Sequence, residues 1–227
     1  MNSEQTVELE RRARVHAALG DSTRLRIVDL LAAGDLSSAE LGGALGVPSN
    51  LLAHHLKVLE DAGLLRRHRS EGDRRRTYLT LRTDALPHPR GRDVGPPARR
   101  ILFVCTANTA RSHLAAALWR GTGSGTPAGS AGTHPGERIH RGARAAARRH
   151  HLDLPDIPPR LLSDTLADGD LVITVCDRAH EEVGDLAWAH WSIPDPVPTG
   201  TRAAFDTAHD ALRTRIADLS NRVATAG

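Results

Sequence analysis

The chain has 227 residues, of which 40% are hydrophobic and 25% are charged, an ordinary composition for a soluble globular protein with one large or two small domains. Its 2 cysteines are too few for a disulfide framework, and in a reducing compartment they suggest core thiols or chemistry. No apolar run approaches the ~20 residues of a membrane span, and the start MNSEQTVELE is not a signal peptide. We therefore expect a cytoplasmic protein with no membrane partner.

The first third of the chain is predicted to be mainly helical, with one hairpin at its end. The segment Ser37–Glu40 has the pattern of a capping box, which predicts the start of a short helix. A turn of sequence GVPS leads to a second helix, NLLAHHLKVLEDAG, with Gly63 as its stop signal. Leu52, Leu56 and Leu59 recur at i, i+4 and i+7 of that helix, which predicts its buried face.

The residues outside this buried face are candidates for contact with a DNA groove. They are Ser49, Asn50, Leu51, Ala53, His54 and Lys57. The next segment, LLRRHRSEGDRRRTYLTL, is predicted to form two strands around residues 70–73, and it carries six arginines against two acidic residues. A basic hairpin suits contact with phosphates or with a minor groove, and the affinity of such contacts falls with salt. The candidate residues on the hairpin are Arg69, Arg74, Arg75 and Arg76.

The order of helix, tight turn, helix and basic hairpin over residues 8–83 resembles the winged helix-turn-helix of the ArsR/SmtB family of repressors. The resemblance rests on GDSTRLRIVDLL and LAHHLKVLEDAGLL, and it implies a transcriptional repressor that binds operator DNA as a homodimer. The first helix, Val7–Leu19, would contribute to the dimer interface. Many metal-sensing relatives carry a Cys-x-Cys pair where this chain has LSSAELG. The front region contains no cysteine and its histidines show no convincing spacing, so no metal site is predicted.

The proline- and glycine-rich stretch TDALPHPRGRDVGPPARR predicts a linker over residues 84–99, between a domain at 1–83 and a domain at 100–227. Beyond it, apolar runs alternate with helical patterns, which predicts an α/β domain with a parallel sheet. The strands are predicted at Ile101–Val104 and Leu171–Val175, the helices at Ser112–Trp119, Ile139–His150 and Phe205–Ala224, and a flexible loop at Gly121–Gly129.

The loop that follows the first of these strands has the pattern of an oxyanion site. It begins at Cys105, reaches Arg111 six residues later and is followed by Ser112. Between a strand and a helix N-terminus, its backbone N–H groups would form an anion nest and would lower the pKa of a thiol below ~8.5. Arg111 offers a guanidinium fork to two oxygens, and Ser112 can donate to the sulfur. The predicted oxyanion-binding residues are Thr106, Ala107, Asn108, Thr109, Ala110 and Arg111. The alternative is an ordinary core cysteine.

Residues 99–222 resemble the low-molecular-weight tyrosine phosphatases and the arsenate reductases that share their fold. The resemblance is carried by the cysteine–arginine loop, by SAGTHP at 130–135 and by DLVITVCDRA at 170–179. It implies a four-stranded parallel sheet and a general acid in a late Asp-Pro pair, which is Asp195-Pro196 here. An ordinary turn is the alternative interpretation of Asp195.

Two features favour arsenate over a phosphate ester as the oxyanion. Val197 and Pro198 stand where phosphotyrosine-specific relatives carry aromatic side chains, and Cys176 occupies the position of a resolving cysteine in thioredoxin-linked arsenate reductases. The strand before Cys176 is predicted to run parallel to the strand before Cys105, which would bring both thiols to one sheet edge. The segment CDRAHEEVGD lacks the further cysteine of the full relay, and Ala110 replaces a second loop cysteine.

Three functions remain open. The first is a repressor of an arsenic-resistance operon that also reduces arsenate, either through a direct Cys105–Cys176 disulfide or with a small thiol that resolves Cys105. An external thiol or a thioredoxin-type reductant would regenerate the enzyme, and no bound cofactor is predicted. The second is a catalytically silent oxyanion or redox sensor that controls DNA binding. The third is a protein-tyrosine or small-molecule phosphatase, with Cys176 as a buried strand residue.

Overall fold

The structure is a computed structural model that describes residues 3–86 and 98–223. The chain divides into two compact units, the first made of residues up to 86 apart from the turn at 71–73, and the second of residues from 98 onward. Residues 87–97, which make up most of the predicted linker, lie outside the described residues. Ala85 and Leu86 pack against the core of the first unit, so this unit continues past the boundary predicted at residue 83.

Within residues 3–86 the first unit contains four helices and a three-stranded antiparallel sheet. The elements are α1 (Ser3–Leu19), α2 (Ser22–Ala33), β1 (Leu36–Ser37), α3 (Ser38–Leu45), α4 (Ser49–Asp61), β2 (Leu65–Arg69), β3 (Thr77–Leu81) and a 3₁₀ turn at Thr83–Ala85. The strand order is β1-β3-β2, and the predicted hairpin is the β2–β3 pair, in which Arg69 lies opposite Thr77. The short strand β1 was not predicted.

Side-chain caps fix where α2 and α3 begin. Asp21 caps α2 by accepting the backbone N–H of Arg24 at 2.9 Å. The predicted capping box is confirmed at α3, where the Ser37 N–H donates to the Glu40 carboxylate at 2.6 Å and the Glu40 N–H donates to Ser37 Oγ at 3.3 Å. Gly46 ends α3 in the left-handed region, with a φ of 65° that favours glycine.

The apolar face of α4 forms part of the core of the first unit. Leu52, Leu56 and Leu59 are buried, as predicted from their spacing. Full burial of one such side chain contributes ~1.5–3 kcal/mol, so this face fixes how α4 packs. The predicted stop is also confirmed, because the helix ends at Asp61 and Gly63 follows with a φ of 76°.

Within residues 98–223 the second unit is an α/β domain with a four-stranded sheet. Its elements are β4 (Arg100–Cys105), α5 (Arg111–Arg120), β5 (Ala128–Gly132), α6 (Arg141–Arg149), α7 (Leu162–Thr165), β6 (Asp170–Thr174), α8 (Asp177–Val183), a 3₁₀ turn (Gly184–Leu186), β7 (Ala189–His190), α9 (Pro196–Thr199) and α10 (Arg202–Val223). The strand order is β5-β4-β6-β7 and every pairing is parallel, which confirms the predicted fold.

Two of these strands were not foreseen, and one loop was predicted too long. The strand β5 begins at Ala128, so the prediction of a loop through Gly129 is wrong by two residues. Small residues hid this strand, because the sequence AGSAG has no β-branched or aromatic side chain. The strand β7 has only two residues, which is too short to show a periodic pattern.

The register of the sheet places the ends of β4 and β6 side by side. Val104 lies opposite Thr174, and the Val104 carbonyl accepts the N–H of Val175 at 2.7 Å. Cys105 follows Val104 as the last residue of β4, and Cys176 follows Val175 just beyond the end of β6. Both cysteines therefore lie at the carboxyl edge of the sheet, where ligands bind in parallel α/β folds.

Candidate functional site

The loop from Cys105 to Arg111 joins β4 to the N-terminus of α5, and its carbonyl groups are tied to the segment at 133–140. The carbonyl oxygens of Cys105, Thr106, Ala107 and Thr109 accept N–H groups from Thr133, His134, Gly136 and His140 at 2.8–3.2 Å. With these carbonyls bonded on one side of the loop, the opposite side is left for the backbone N–H groups, as an anion nest requires.

A close approach by a neighbouring strand end supports this loop. Gly132 ends β5, and a Cβ built on it would lie 2.7 Å from the Thr106 oxygen and 2.9 Å from Cβ of Asn108. Only glycine allows β5 to come this near to the loop. Gly132 belongs to the SAGTHP segment, on which part of the family resemblance rests. The sequence alone gives no physical reason for a glycine at this position, and the close approach of β5 to the loop supplies one.

A chain of hydrogen bonds leads from Asn108 to the sulfur of Cys105. The Asn108 side-chain amide donates to Ser112 Oγ at 2.8 Å, and Ser112 Oγ lies 3.1 Å from Cys105 Sγ. Because Ser112 Oγ accepts from Asn108, its own hydrogen can point at the sulfur, where it stabilises a thiolate. Asn108 is fully buried with a φ of 50°, a conformation that costs free energy outside glycine and is held by the bond from the Arg160 N–H to Asn108 Oδ1 at 2.9 Å.

Arg111 begins α5, one residue before the predicted helix start, and its guanidinium is buried with an exposed fraction of 7%. It donates to the Ile193 carbonyl at 2.8 Å. Burial lowers the pKa of Arg111, but the nearby Cys176 and Cys105 sulfurs and the Asp195 carboxylate outweigh it and leave the pKa above its usual value. Arg111 therefore stays charged, as the predicted oxyanion clamp must.

Asp195 precedes the short helix α9 and lies against Arg111. Its Oδ2 is 2.8 Å from the Arg111 guanidinium, and its Oδ1 accepts the N–H of Val197 at 3.0 Å. These contacts bring the predicted general acid to the same arginine that would hold the oxyanion. Val197 is partly exposed and follows Pro196, so no aromatic side chain stands directly after the Asp-Pro pair.

Cys176 lies against the loop that begins with Cys105. Its sulfur accepts the backbone N–H of Thr106 at 3.2 Å and lies 3.4 Å from Thr106 Oγ1. Thr106 was predicted to bind the oxyanion, but its N–H is directed at this second thiol. Both cysteines are buried and unpaired by a disulfide. Burial and the nearby Cys105 sulfur raise the pKa of Cys176 to about 11, so it is a neutral thiol at pH 7.

A buried polar network that sequence reasoning missed begins directly after Cys176. Asp177 lies 3.1 Å from Nε2 of His190 and also accepts the Ser192 hydroxyl, while Nδ1 of His190 is 3.0 Å from Thr174 Oγ1. Burial would raise the pKa of Asp177, but these hydrogen bonds dominate and lower it to about 2. The carboxylate is thus ionised and held in place beside the second thiol. The four residues are scattered over 19 positions of sequence, so no local pattern marks them.

The predicted DNA-binding residues of α4 share one exposed surface. Ser49, Asn50, Leu51, Ala53, His54 and Lys57 are all exposed. The neighbouring His55 is instead buried, with Nδ1 3.6 Å from the Asp21 carboxylate, and therefore packs inside the first unit. Lys57 is 3.0 Å from Asp61 one helical turn later, an exposed pair that restrains it little.

The hairpin β2–β3 carries the predicted basic side chains. Its exposed arginines are Arg66, Arg67, Arg69, Arg74, Arg75 and Arg76. Arg67 pairs with Glu60 of α4, which ties the start of the hairpin to that helix. Leu79 and Leu81 of β3 point into the core of the first unit, and Tyr78, on the opposite face of the strand, is also fully buried, so a packed strand supports the hairpin.

Among residues 3–86 and 98–223, no cluster of three or more His, Cys, Asp or Glu side chains has the arrangement to hold a metal ion. In the same part of the chain, no helix combines the length and the apolar character that a membrane span needs.

Comparisons with known proteins identify both parts of the chain. The family described as low molecular weight phosphotyrosine protein phosphatase matches residues 100–226, and a helix-turn-helix domain matches residues 19–68. The transcriptional repressor SdpR of Bacillus subtilis (strain 168) is 33% identical over 72 residues, which are 32% of this chain and 77% of SdpR.

A solved tyrosine phosphatase shares the fold of the second unit. The tyrosine phosphatase AmsI of Erwinia amylovora is 22% identical with a TM-score of 0.50, over 56% of this chain and 94% of AmsI. An arsenate reductase of Archaeoglobus fulgidus DSM 4304 is 27% identical with a TM-score of 0.48, over 53% of this chain and 98% of that reductase. The match over residues 100–226 covers more than half of the chain, which therefore belongs to the low molecular weight phosphotyrosine protein phosphatase family and carries a helix-turn-helix domain ahead of that part.

Proposed function

We propose that the protein is a DNA-binding transcriptional repressor whose second unit reduces arsenate with Cys105 as nucleophile and Cys176 as resolving thiol. The observation that carries the proposal is the contact of Cys176 with the loop itself. Its sulfur lies 3.2 Å from the backbone nitrogen and 3.4 Å from the side-chain oxygen of Thr106, the residue directly after Cys105. A phosphatase needs one thiol at this loop, whereas a reductase that resolves its own sulfur–arsenic adduct needs two.

The first step is attack of the Cys105 thiolate on arsenate. The oxyanion is held by the N–H groups of residues 107–111 and by the Arg111 guanidinium. A sulfur–arsenic bond forms, and one arsenate oxygen leaves as water after it takes a proton from Asp195. Arg111 would bring the acid and the oxyanion together, because its guanidinium would bind the oxyanion and already lies 2.8 Å from Asp195 Oδ2.

The second step is attack of Cys176 on the Cys105 sulfur. A disulfide forms, the electron pair of the sulfur–arsenic bond passes to arsenic, and arsenite is released. The order of the two thiols follows from their electrostatics. The Cys105 sulfur helps to raise the pKa of Cys176, and this repulsion disappears once Cys105 is bonded to arsenic. Burial, the main cause of the raised pKa of Cys176, remains, but Arg111 acts in the opposite direction, so Cys176 loses its proton more readily after the first step than before it.

The cycle closes when an external thiol or a thioredoxin-type reductant reduces the Cys105–Cys176 disulfide. This reductant supplies the two electrons that arsenate takes up, and no bound cofactor enters any step.

The first unit supplies the proposed regulatory activity. The exposed face of α4 would contact base edges, and the arginines of the β2–β3 hairpin would contact phosphates of the operator. The helix-turn-helix match and the repressor relative support this assignment. We propose a homodimer of the ArsR type, in which α1 takes part through Val7 and Leu9, two apolar side chains that are more than half exposed in the isolated chain.

Hydrolysis of a phosphate ester is the second candidate activity, because Cys105, Arg111 and Asp195 suffice for it. In that case water rather than Cys176 would attack the intermediate on Cys105. The absence of an aromatic wall directly after Pro196 weighs against an aryl substrate. The two activities differ in their need for Cys176, and this difference separates them.

The test measures arsenite release and aryl phosphate hydrolysis by one preparation, with thioredoxin or a small thiol as reductant. Cys105→Ser should abolish both reactions, by at least about a thousandfold. Cys176→Ser should abolish arsenite release and leave any phosphatase activity intact. Ser130→Ala serves as a matched control, because this hydroxyl lies near His113 of α5 rather than either sulfur.

Phosphate release without arsenite release would replace the reductase by a phosphatase. No turnover of either substrate, with DNA binding that weakens when arsenate or an oxidant is added, would support a sensor in place of an enzyme. Retention of arsenite release in Cys176→Ser with a small thiol would reassign the resolving step to that thiol.

A further inference from the structure

A cavity of about 360 Å³ lies between α6 and the start of α10 in the second unit. Four arginines line it, Arg141, Arg148 and Arg149 from α6 and Arg202 from α10. None of its lining residues is acidic, and none belongs to the Cys105–Arg111 loop. A concave site of this size fits a small molecule, and its charge selects an anion.

Two of the four arginines, Arg149 and Arg202, are held in position by the carboxylate of Asp206. Asp206 bonds Arg149 and lies 3.3 Å from Arg202 and 2.9 Å from Nε2 of His150. The hydrogen bond from Arg149 is the main reason why the pKa of Asp206 is lowered to about 2. One carboxylate thus orients two guanidinium groups and neutralises only one of their charges, which leaves donors to spare for a ligand.

The other two arginines carry uncompensated charge. Arg141 and Arg148 are exposed, and within residues 3–86 and 98–223 neither has an acidic side chain at ion-pair distance. Arg144, on the same helix but outside the cavity, pairs with Asp156 instead. The unpaired arginines of α6 are therefore the ones that face the cavity.

The N-terminus of α6 adds to the preference of the cavity for an anion, and neighbouring apolar residues favour a ligand with an apolar part. Arg141 and Gly142 are the first two residues of α6, whose N-terminus carries partial positive charge. A Cβ on Gly142 would lie 2.2 Å from the Phe205 ring, so the glycine brings the helix directly onto this ring. The ring itself is buried beneath the cavity, so Gly142 and Ala145, which are both partly exposed, give the cavity its apolar surface beside the four guanidinium groups.

We propose that this cavity is a second anion site, which takes a small molecule that carries several phosphate groups and a flat apolar ring. The guanidinium forks of Arg141 and Arg148 would bind the phosphates, and the ring would lie against the apolar surface. The site does not depend on the proposed function, because it shares no residue with the candidate active site. A concave shape favours a small ligand over the extended backbone of a DNA duplex.

The experiment measures binding of adenosine triphosphate and of inorganic triphosphate by calorimetry at ~0.15 M salt, where surface attraction is screened. The full chain carries Arg111→Ser throughout, so that the Cys105 loop no longer contributes its main phosphate ligand. Arg148→Ser removes an unpaired arginine, Ala145→Leu fills the cavity without a change of charge, and Arg144→Ser is the matched control.

Adenosine triphosphate should bind the Arg111→Ser chain more tightly than inorganic triphosphate. Arg148→Ser and Ala145→Leu should each weaken this binding about tenfold, since a charged hydrogen bond or the space for the ligand is lost, while Arg144→Ser should leave it unchanged. Absence of binding, or equal losses in Arg144→Ser and Arg148→Ser, would overturn the site. Equal affinity for the two probes would overturn the ligand class, and a loss of duplex DNA affinity alone in Arg148→Ser would replace it with a nucleic-acid contact.

Discussion

Polar side chains are buried in the candidate active site and exposed on the candidate DNA-binding surface. In the second unit Asn108, Arg111 and Ser112 are buried, and each has a hydrogen-bond partner. On α4, Asn50 and His54 lie exposed to solvent. A buried polar group costs free energy unless it is paired, whereas an exposed one is held only weakly. Substitutions in the first region should therefore disturb chemistry and folding together, and those in the second should change DNA affinity alone.

The largest effect is expected at Arg111. Arg111→Lys keeps a positive charge but loses the planar fork that bonds two oxygens at once, so turnover should fall by about a hundredfold to a thousandfold. Steady-state rates on the better substrate, arsenate or an aryl phosphate, measure this. Arg120→Lys, at the other end of α5, is the control and should keep full activity. Equal losses in the two variants would mean that the fork is not what the reaction needs.

The next effect is on folding. The stability of the second unit should depend on pH through a buried histidine, whereas the exposed histidine of α4 should not contribute. Burial lowers the pKa of His113, which follows Ser112 on α5, to about 4 from 6.5. Below pH 6.5 the unfolded chain takes up a proton that the folded chain refuses. The free energy of unfolding should therefore fall by up to about 3 kcal/mol as the pH falls from 6.5 to 4, and be unaffected by this group above 6.5.

Unfolding of the second unit can be followed by itself, because all 3 tryptophans of the chain, Trp119, Trp188 and Trp191, lie there. Urea titrations monitored by tryptophan fluorescence should give His113→Gln a smaller loss of stability between pH 6.5 and 4 than the unsubstituted chain shows. The exposed His54→Gln should not change the loss. Identical pH dependence in His113→Gln and the unsubstituted chain would contradict the burial argument.

A smaller effect is expected from the hydrogen bond to the nucleophile. Ser112→Ala removes the group that lies 3.1 Å from the Cys105 sulfur, so turnover should fall about tenfold to a hundredfold, with little change in KM. A rise in KM at constant kcat would show instead that Ser112 serves substrate binding. The same kinetics on Ser130→Ala should match those of the unsubstituted chain.

The smallest effect is expected on the DNA-binding surface. Arg74→Ser removes one exposed cation of the hairpin, which should weaken DNA binding a few-fold and reduce the slope of log affinity against log salt by about 0.9. Fluorescence anisotropy with duplex DNA at several salt concentrations measures both. Arg82→Ser is the control, since Arg82 pairs with Asp84 beyond the hairpin. An unchanged slope in Arg74→Ser would remove this arginine from the interface.

Features that follow from a local pattern could be predicted from the sequence, and features that depend on distant contacts could not. The buried and exposed faces of α4 follow from a local period, so Leu52 and Asn50 are assigned correctly from spacing alone. The Cys105–Arg111 loop is likewise local, and its place between a strand and a helix follows from the apolar run before it. The network of Asp177 and His190 and the close approach of Gly132 depend on contacts between distant segments, which no local pattern contains.

The proposed reduction of arsenate requires that Cys105 and Cys176 act as a pair. The most direct test is mass analysis of the intact chain and its peptides after a single turnover with arsenate, with no external reductant present. We expect one arsenite for each chain, the loss of two hydrogen atoms from the chain, and a peptide in which Cys105 is disulfide-bonded to Cys176. Arsenite released while both thiols remain reduced, or a disulfide that never forms in the presence of arsenate, would contradict it.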